Sequence, residues 1–152
     1  MENDSANQLW HEYQKVNPDA PKDYVVWAFG GTKEMADELA KLVLEGTKTA
    51  TTSNFMLYEL EKEPLPSVGL HNIILTGEGK AVAIVETTSV QVVPFDEVTS
   101  EHAYQEGEGD RTLRYWRDVH ESFFKKELND INQEFHYNIP VVCERFRLIY
   151  KK

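Results

Sequence analysis

The sequence predicts an α+β domain: a small, mostly antiparallel sheet, barrel-like in outline, with helices packed around it. Three observations carry that prediction. Short β-rich runs are interspersed with segments whose apolar residues recur at helical spacing. The strongest β signal, His71 to Leu75 followed by Ala81 to Val93, flanks Gly77-Glu78-Gly79 and reads as a hairpin. No two strands are joined by a clear helical crossover of the kind a parallel sheet requires. The 152 residues fit one domain over residues 1–152, with residues 1–22 as an N-terminal helical extension.

Each element has a local cause. Ser5 with Gln8 resembles a capping box, and Leu9, Tyr13 and Val16 follow at helical spacing until Asn17-Pro18 and Pro21 end the helix. Tyr24 to Phe29, YVVWAF, is a short strand broken by Gly30-Gly31. Thr32 caps a helix with apolar face Met35, Ala36, Leu39, Val43 and Leu44, stopped by Gly46. The β-branched run 47–53 leaves that helix as a strand or extended loop, and residues 55–61 form a short helix before Pro64 and Pro66. Residues 99–105 allow one or two helical turns. Asp110 can cap a helix carrying Leu113, Trp116, Val119 or His120, and Phe123 or Phe124. Ile139 to Tyr150 reads as a long closing strand, with Pro140 tolerated at its start.

Charge narrows the function. The 26 acidic and 16 basic side chains give a net charge of -10, which argues against wholesale phosphate binding. The distribution is uneven: all five arginines lie in residues 111–152, which carry +3 against -13 for the rest. That asymmetry is compatible with a local anion site and equally with ordinary variation of surface charge. One cysteine, Cys143, excludes an internal disulfide and a thiolate metal cluster. The start MENDSANQLW has neither a basic nor an apolar leader region, and no apolar run approaches a membrane span. The expectation is a soluble cytoplasmic protein with no membrane partner; the oligomeric state stays open.

Several residues could carry chemistry. In Gly46-Thr47-Lys48-Thr49-Ala50-Thr51, a lysine precedes a hydroxyl by three residues, and a neutral lysine can take that hydroxyl's proton. A lysine just after a helix end also simply complements the helix dipole. Glu86 sits inside AVAIVETTSVQVV. On a strand covered on both faces it must be paired or protonated; on a strand wet at that point it needs neither. Glu106-Gly107-Glu108-Gly109-Asp110 concentrates carboxylates on a glycine loop. Arg111, Arg114 and Arg117 follow along one side of a helix, where they can pair with those carboxylates or bind a phosphate. Trp27 and Trp116 suit core or pocket-wall positions. The five histidines show no zinc spacing, and no dinucleotide or Walker pattern is present, so neither metal nor cofactor is expected.

The runs WAFGGTKEMADELAKLVLEGTKTATTS, AIVETTSVQVVPFDEV and EHAYQEGEGDRTLRYWRDVHESFF resemble a bacterial ASCH-domain protein over about Tyr24 to Tyr150. The resemblance implies a small PUA-like β-barrel with packed helices. One branch, similar in its motifs to N(4)-acetylcytidine amidohydrolases, uses a lysine base, a threonine nucleophile and a supporting glutamate. That similarity implies Lys48, Thr51 and Glu106 as catalytic residues and leaves the role of a matching strand glutamate, Glu86, open. Glu86, Arg111, Arg114 and Trp27 are the expected substrate-binding residues. The N-terminal helix and the GEGDRTLRYWR helix depart from the minimal amidohydrolases and would alter the pocket entrance. The expected partner is a nucleoside or short RNA. The reading is thus a nucleoside pocket that deacetylates N(4)-acetylcytidine-type nucleosides, with a non-catalytic RNA or modified-nucleotide reader, or a ribonuclease, as the alternatives.

Overall fold

In the computed structural model, which describes residues 3–152, five strands and five α-helices build a mixed α+β fold around a curled half-barrel sheet. The helices are α1 (Asp4–Val16), α2 (Lys33–Leu44), α3 (Phe55–Glu61), α4 (Ser100–Glu106) and α5 (Leu113–Asp130). The strands are β1 (Val25–Ala28), β2 (Ala50–Asn54), β3 (His71–Leu75), β4 (Ala81–Pro94) and β5 (Pro140–Lys151). Their order across the sheet is β1-β3-β4-β5-β2. The β3–β4 hairpin forms as the glycine turn predicts, and β4 runs antiparallel to β5 along most of its length. Register shifts at Ile84/Val85 and Thr87/Ser89 sharpen the curl of that long ribbon.

Two expectations need correction. The pair β1–β3 is parallel, so a crossover does exist: the chain leaves β1 and passes through α2, β2 and α3 before β3. It is invisible as a βαβ pattern because β2 departs to the far edge of the sheet within the same connection. Two helices also start elsewhere. Asn3, not Ser5, caps α1, its Oδ1 accepting from Ala6 N at 3.0 Å, while Ser5 Oγ donates to Asn3 and accepts from Ala81 N. Thr112, not Asp110, caps α5; Asp110 instead accepts from the Thr112 amide and hydroxyl. In both cases another short polar side chain nearby offers the same acceptor chemistry.

Three apolar clusters hold the layers. Ala6, Leu9, Trp10 and Tyr13 of α1 pack on Ile73, Ala81 and Ile84. Leu39, Ala40 and Val43 of α2 pack on Ile74, Ala83, Val85 and Phe146. Trp116, Phe124 and Leu128 of α5 pack on Phe95, Val141 and Cys143. Each fully buried Leu, Ile or Phe contributes about 1.5–3 kcal/mol relative to exposure. The barrel does not close. Strands β1 and β2 each keep one unpaired edge, and Phe123 and Glu127 of α5 line a cavity together with residues of both strands. No helix among the described residues is long and apolar enough to cross a membrane.

Candidate functional site

Lys48 is delivered to the interior by the end of α2. Gly46 adopts φ 81, a left-handed conformation that reverses the chain, and the amides of Thr47 and Lys48 both donate to Leu42 O. Thr49 N then bonds Gln105 O, and Phe146 N bonds Thr49 O, stitching the segment between α4 and β5. The side chain of Lys48 is 1% exposed. Its Nζ donates to Glu106 Oε1 at 3.1 Å, Glu108 Oε2 at 2.8 Å and Glu106 O at 3.3 Å. All three ammonium protons therefore have an oxygen to go to.

Glu106 closes α4, and Gly107 behind it takes φ 74. A Cβ at Gly107 would stand 2.6 Å from Thr47 O, so only glycine lets the two segments approach this closely. Glu106 Oε2 accepts from Thr52 Oγ1 at 2.6 Å and Trp116 Nε1 at 2.6 Å, with His102 Nε2 at 3.1 Å. His120 Nε2 stands 3.6 Å from Oε1, and its Nδ1 donates to Trp116 O at 2.9 Å. Burial by itself would raise the Glu106 carboxyl, but Lys48 foremost, then His120 and His102, holds it well below the usual carboxylate range. Burial likewise works against a charged His120, yet the Glu106 carboxylate raises its pKa above the usual value. Glu106 is thus held as an anion whose oxygens accept from Lys48, Thr52 and Trp116.

Above this network lie two adjoining cavities. The first, about 540 Å³, is lined by Lys48, Thr51, Glu106, Glu108, His120 and the apolar Phe29, Met35, Leu39 and Phe123. The second, about 520 Å³, opens between the free edges of β1 and β2 and is lined by Trp27, Thr51, Ser53, Tyr58, Asn72, Glu127 and Glu144 among others. They share Phe29, Gly30, Thr51, Thr52 and Phe123 as walls, so Thr51 stands at their junction. Strand alternation separates the two threonines: buried Thr52 turns to Glu106, while half-buried Thr51 stays available to the cavities.

The remaining sequence-predicted residues divide. Trp27 lines the second cavity with Nε1 donating to Asn72 Oδ1 at 3.0 Å. Glu86 lies elsewhere, paired to Arg147 at 2.7 Å across the β4–β5 register, on a part of the sheet where its surface is open. Arg111 lies over the Tyr104 ring at 3.6 Å and donates to Tyr104 O, lining neither cavity. Arg114 is exposed on α5 and lines neither cavity, and Arg117 donates to Asp96 O. Sequence reasoning passed over Thr52, His102, His120, Glu127 and Glu144. The i,i+4 pairs His102/Glu106 and Trp116/His120 were the available signal, since each pair shares one helix face.

Among the described residues one group could hold a metal: Glu106, Glu108 and His120 present ligand atoms within 4.8 Å of one another. The Lys48 ammonium bonds both of these carboxylates. Cys143 offers no thiolate; burial pushes its pKa up to about 11.

The family model of the ASCH domain matches residues 25–150. The chain belongs to the ASCH domain family. Similar solved structures extend over nearly the whole chain. An ASCH domain from Lactobacillus crispatus is 28% identical, with a TM-score of 0.93 over 99% of this chain and 96% of that one. A protein from Enterococcus faecalis is 34% identical, with a TM-score of 0.88 over 96% and 88%. An ASCH protein from Zymomonas mobilis, 14% identical with a TM-score of 0.50 over 84% and 73%, shares the fold. No curated protein matches the sequence. The α+β, PUA-like class expected from the sequence is therefore the fold of this ASCH domain.

Proposed function

We propose that this ASCH domain is an amidohydrolase that removes an acyl group from the exocyclic amine of a nucleoside, of the N(4)-acetylcytidine type. One observation carries the reading: a fully buried lysine, gripped by two carboxylates, shares a nucleoside-sized cavity with a threonine outside the Glu106 network. The motif similarity of Lys48, Thr51 and Glu106 to the amidohydrolases supports the same assignment.

The chemistry follows from the protons. Moving one proton from Lys48 Nζ to Glu108 Oε2, across 2.8 Å, leaves a neutral amine and a neutral acid without changing the net charge of the pair. The amine then takes the Thr51 hydroxyl proton as Oγ1 attacks the acyl carbonyl. Collapse of the tetrahedral adduct breaks the C–N bond. The Lys48 ammonium returns its proton to the departing nucleoside amine. Water, deprotonated by the same amine, cleaves the acyl-threonine; the acid leaves and Thr51 recovers its proton. Glu106 keeps Lys48 in place throughout. Acyl transfer of this kind needs no metal-bound water.

The test is cytidine release from N(4)-acetylcytidine by wild type, Thr51→Ala and Thr51→Ser. Turnover that survives in Thr51→Ser and is lost in Thr51→Ala supports the reading. No turnover by wild type, or full turnover by Thr51→Ala, removes it. Salt-sensitive RNA binding without turnover would instead identify a reader, and cleaved RNA a ribonuclease.

A further inference from the structure

Acyl transfer to Thr51 passes through a tetrahedral adduct whose former carbonyl oxygen carries negative charge, and a donor must meet that oxygen. Most side-chain donors on the wall of the Lys48 cavity are already committed. The three Lys48 protons go to Glu106 and Glu108, Thr52 Oγ1 donates to Glu106 Oε2, and Ser122 Oγ donates to Asp118 O. Lys126 is an exposed residue of that wall. His120 remains. It lines the same cavity with its side chain 12% exposed, and its Nε2 stands 3.6 Å from Glu106 Oε1, beyond hydrogen-bond distance.

The His120 ring is fixed on both sides of this free nitrogen. It stacks on Trp116 with centroids 4.2 Å apart and planes 16° off parallel, and it packs at a tilt against Phe124. Trp116 is itself anchored, donating to Glu106 Oε2 at 2.6 Å. His120 Nδ1 donates to Trp116 O, one helical turn back, at 2.9 Å, so Nε2 is the nitrogen left for the cavity. Lys48 Nζ at 3.1 Å and His120 Nε2 at 3.6 Å flank the same oxygen, Glu106 Oε1. Two carboxylates, Glu106 and Glu108, thus face one ammonium, and an imidazolium at His120 balances the second. Burial opposes that charge, but Glu106 foremost, then Glu108, raises the His120 pKa above its ordinary value.

We propose that His120 is the oxyanion donor of this site: its Nε2–H bonds the acyl oxygen while Thr51 Oγ1, relieved of its proton by Lys48, attacks the acyl carbon. This rests on the reading of Lys48 and Thr51 as a hydrolytic pair and adds a catalytic residue from α5 that the motif similarity does not include. No bond to His120 forms or breaks. Its proton stays on Nε2, and the charge that gathers on the oxygen returns to the carbonyl as the C–N bond cleaves. The stack on Trp116 holds the donor in place beforehand, so the reaction need not reorganise it.

The experiment follows turnover of N(4)-acetylcytidine and of p-nitrophenyl acetate by wild type, His120→Phe and His120→Gln. Phenylalanine keeps a ring on Trp116 and removes the donor; glutamine restores an N–H without the charge. p-Nitrophenolate departs without a proton, so a donor to the acyl oxygen serves both substrates and a donor to the leaving amine serves only the first. His120→Phe should lower kcat at least a hundredfold on both, with KM within threefold of wild type, because the charge that His120 meets exists only in the transition state. His120→Gln should recover at least tenfold of that loss. A merely structural role would lower the melting temperature of both variants, shift KM and show no recovery in His120→Gln; that pattern overturns the proposal. So does turnover by His120→Phe within threefold of wild type. A loss confined to N(4)-acetylcytidine makes His120 the acid for the leaving amine and overturns the oxyanion role. Ester hydrolysis that depends on His120, without deacetylation, sinks the nucleoside reading alone; hydrolysis of neither substrate by wild type sinks the hydrolytic pair and this inference with it.

Discussion

Lys48 Nζ and Glu106 Oε1 lie 3.1 Å apart, and each side chain is only 1% exposed. The cation comes from the exit of α2 and the anion from the end of α4, so the pair ties two helix ends together under a cavity. Removing Glu106 leaves the buried Lys48 ammonium with Glu108 alone and takes the acceptor from Thr52, Trp116 and His102. Glu106→Leu should cost about 3–5 kcal/mol of stability in urea titration. The double variant Lys48→Met with Glu106→Leu should recover part of that loss. A single variant as stable as wild type would show that the pair is not held as described.

Gly107 makes this approach of segments possible. Alanine there meets Thr47 O at 2.6 Å and must hold φ near 74, so Gly107→Ala should cost about 1–3 kcal/mol. The same displacement moves Glu108 off Lys48, and ligand binding should weaken with it. Chemical denaturation beside cytidine titration checks both effects.

The pH dependence follows from opposite shifts. Glu127 is raised to about 7 from 4.5, so the native state binds its proton more tightly than the unfolded chain. Its contribution is complete below about pH 4.5 and is lost as pH rises through about 7. His120, also raised, loses its contribution as pH climbs past its elevated value. Glu106 is lowered, so its contribution is present above about pH 4.5 and falls away as the solution becomes more acid. The melting temperature should therefore peak on the mildly acidic side of neutrality. Glu127→Met should flatten the decline on the alkaline side; melting curves for both proteins across that range decide it, and an unchanged decline would contradict the assignment.

Glu86 and Arg147 give the control. Their 2.7 Å pair has an arginine side chain 68% exposed, where solvent screens the interaction, and double-mutant analysis should find under about 1 kcal/mol. Glu86→Gln should leave cytidine binding and deacetylation unchanged, since Glu86 lines neither cavity. A loss of binding would bring the strand glutamate back into the site.

Local rules made most elements legible. Thr32 and Gly46 bracket α2, and Gly77 to Gly79 turn the hairpin, because caps and turns depend on residues a few positions apart. The parallel β1–β3 pair was not legible, since its crossover is interrupted by β2 and no single window contains it. At the site, Lys48 and Glu106 stood out by motif similarity. Glu127 did not: on sequence it is one more charge on an amphipathic helix, and only the open edges of β1 and β2 turn its position into a cavity wall. The arginines were only partly legible. Their spacing allowed pairing with the acidic loop or a bound phosphate, but Arg111 and Arg117 donate to the backbone carbonyls of Tyr104 and Asp96, and Arg114 is exposed outside both cavities.

The central claim is that Lys48 moves a proton and does not merely supply charge. Arginine keeps the charge and can bond both carboxylates, but it stays protonated at any working pH. The decisive measurement is the rate of cytidine release from N(4)-acetylcytidine by Lys48→Arg, with its melting temperature taken in parallel. The account predicts a folded variant, matched in charge, with turnover reduced at least a hundredfold, within the range for loss of a general base. Turnover within a few-fold of wild type would contradict it.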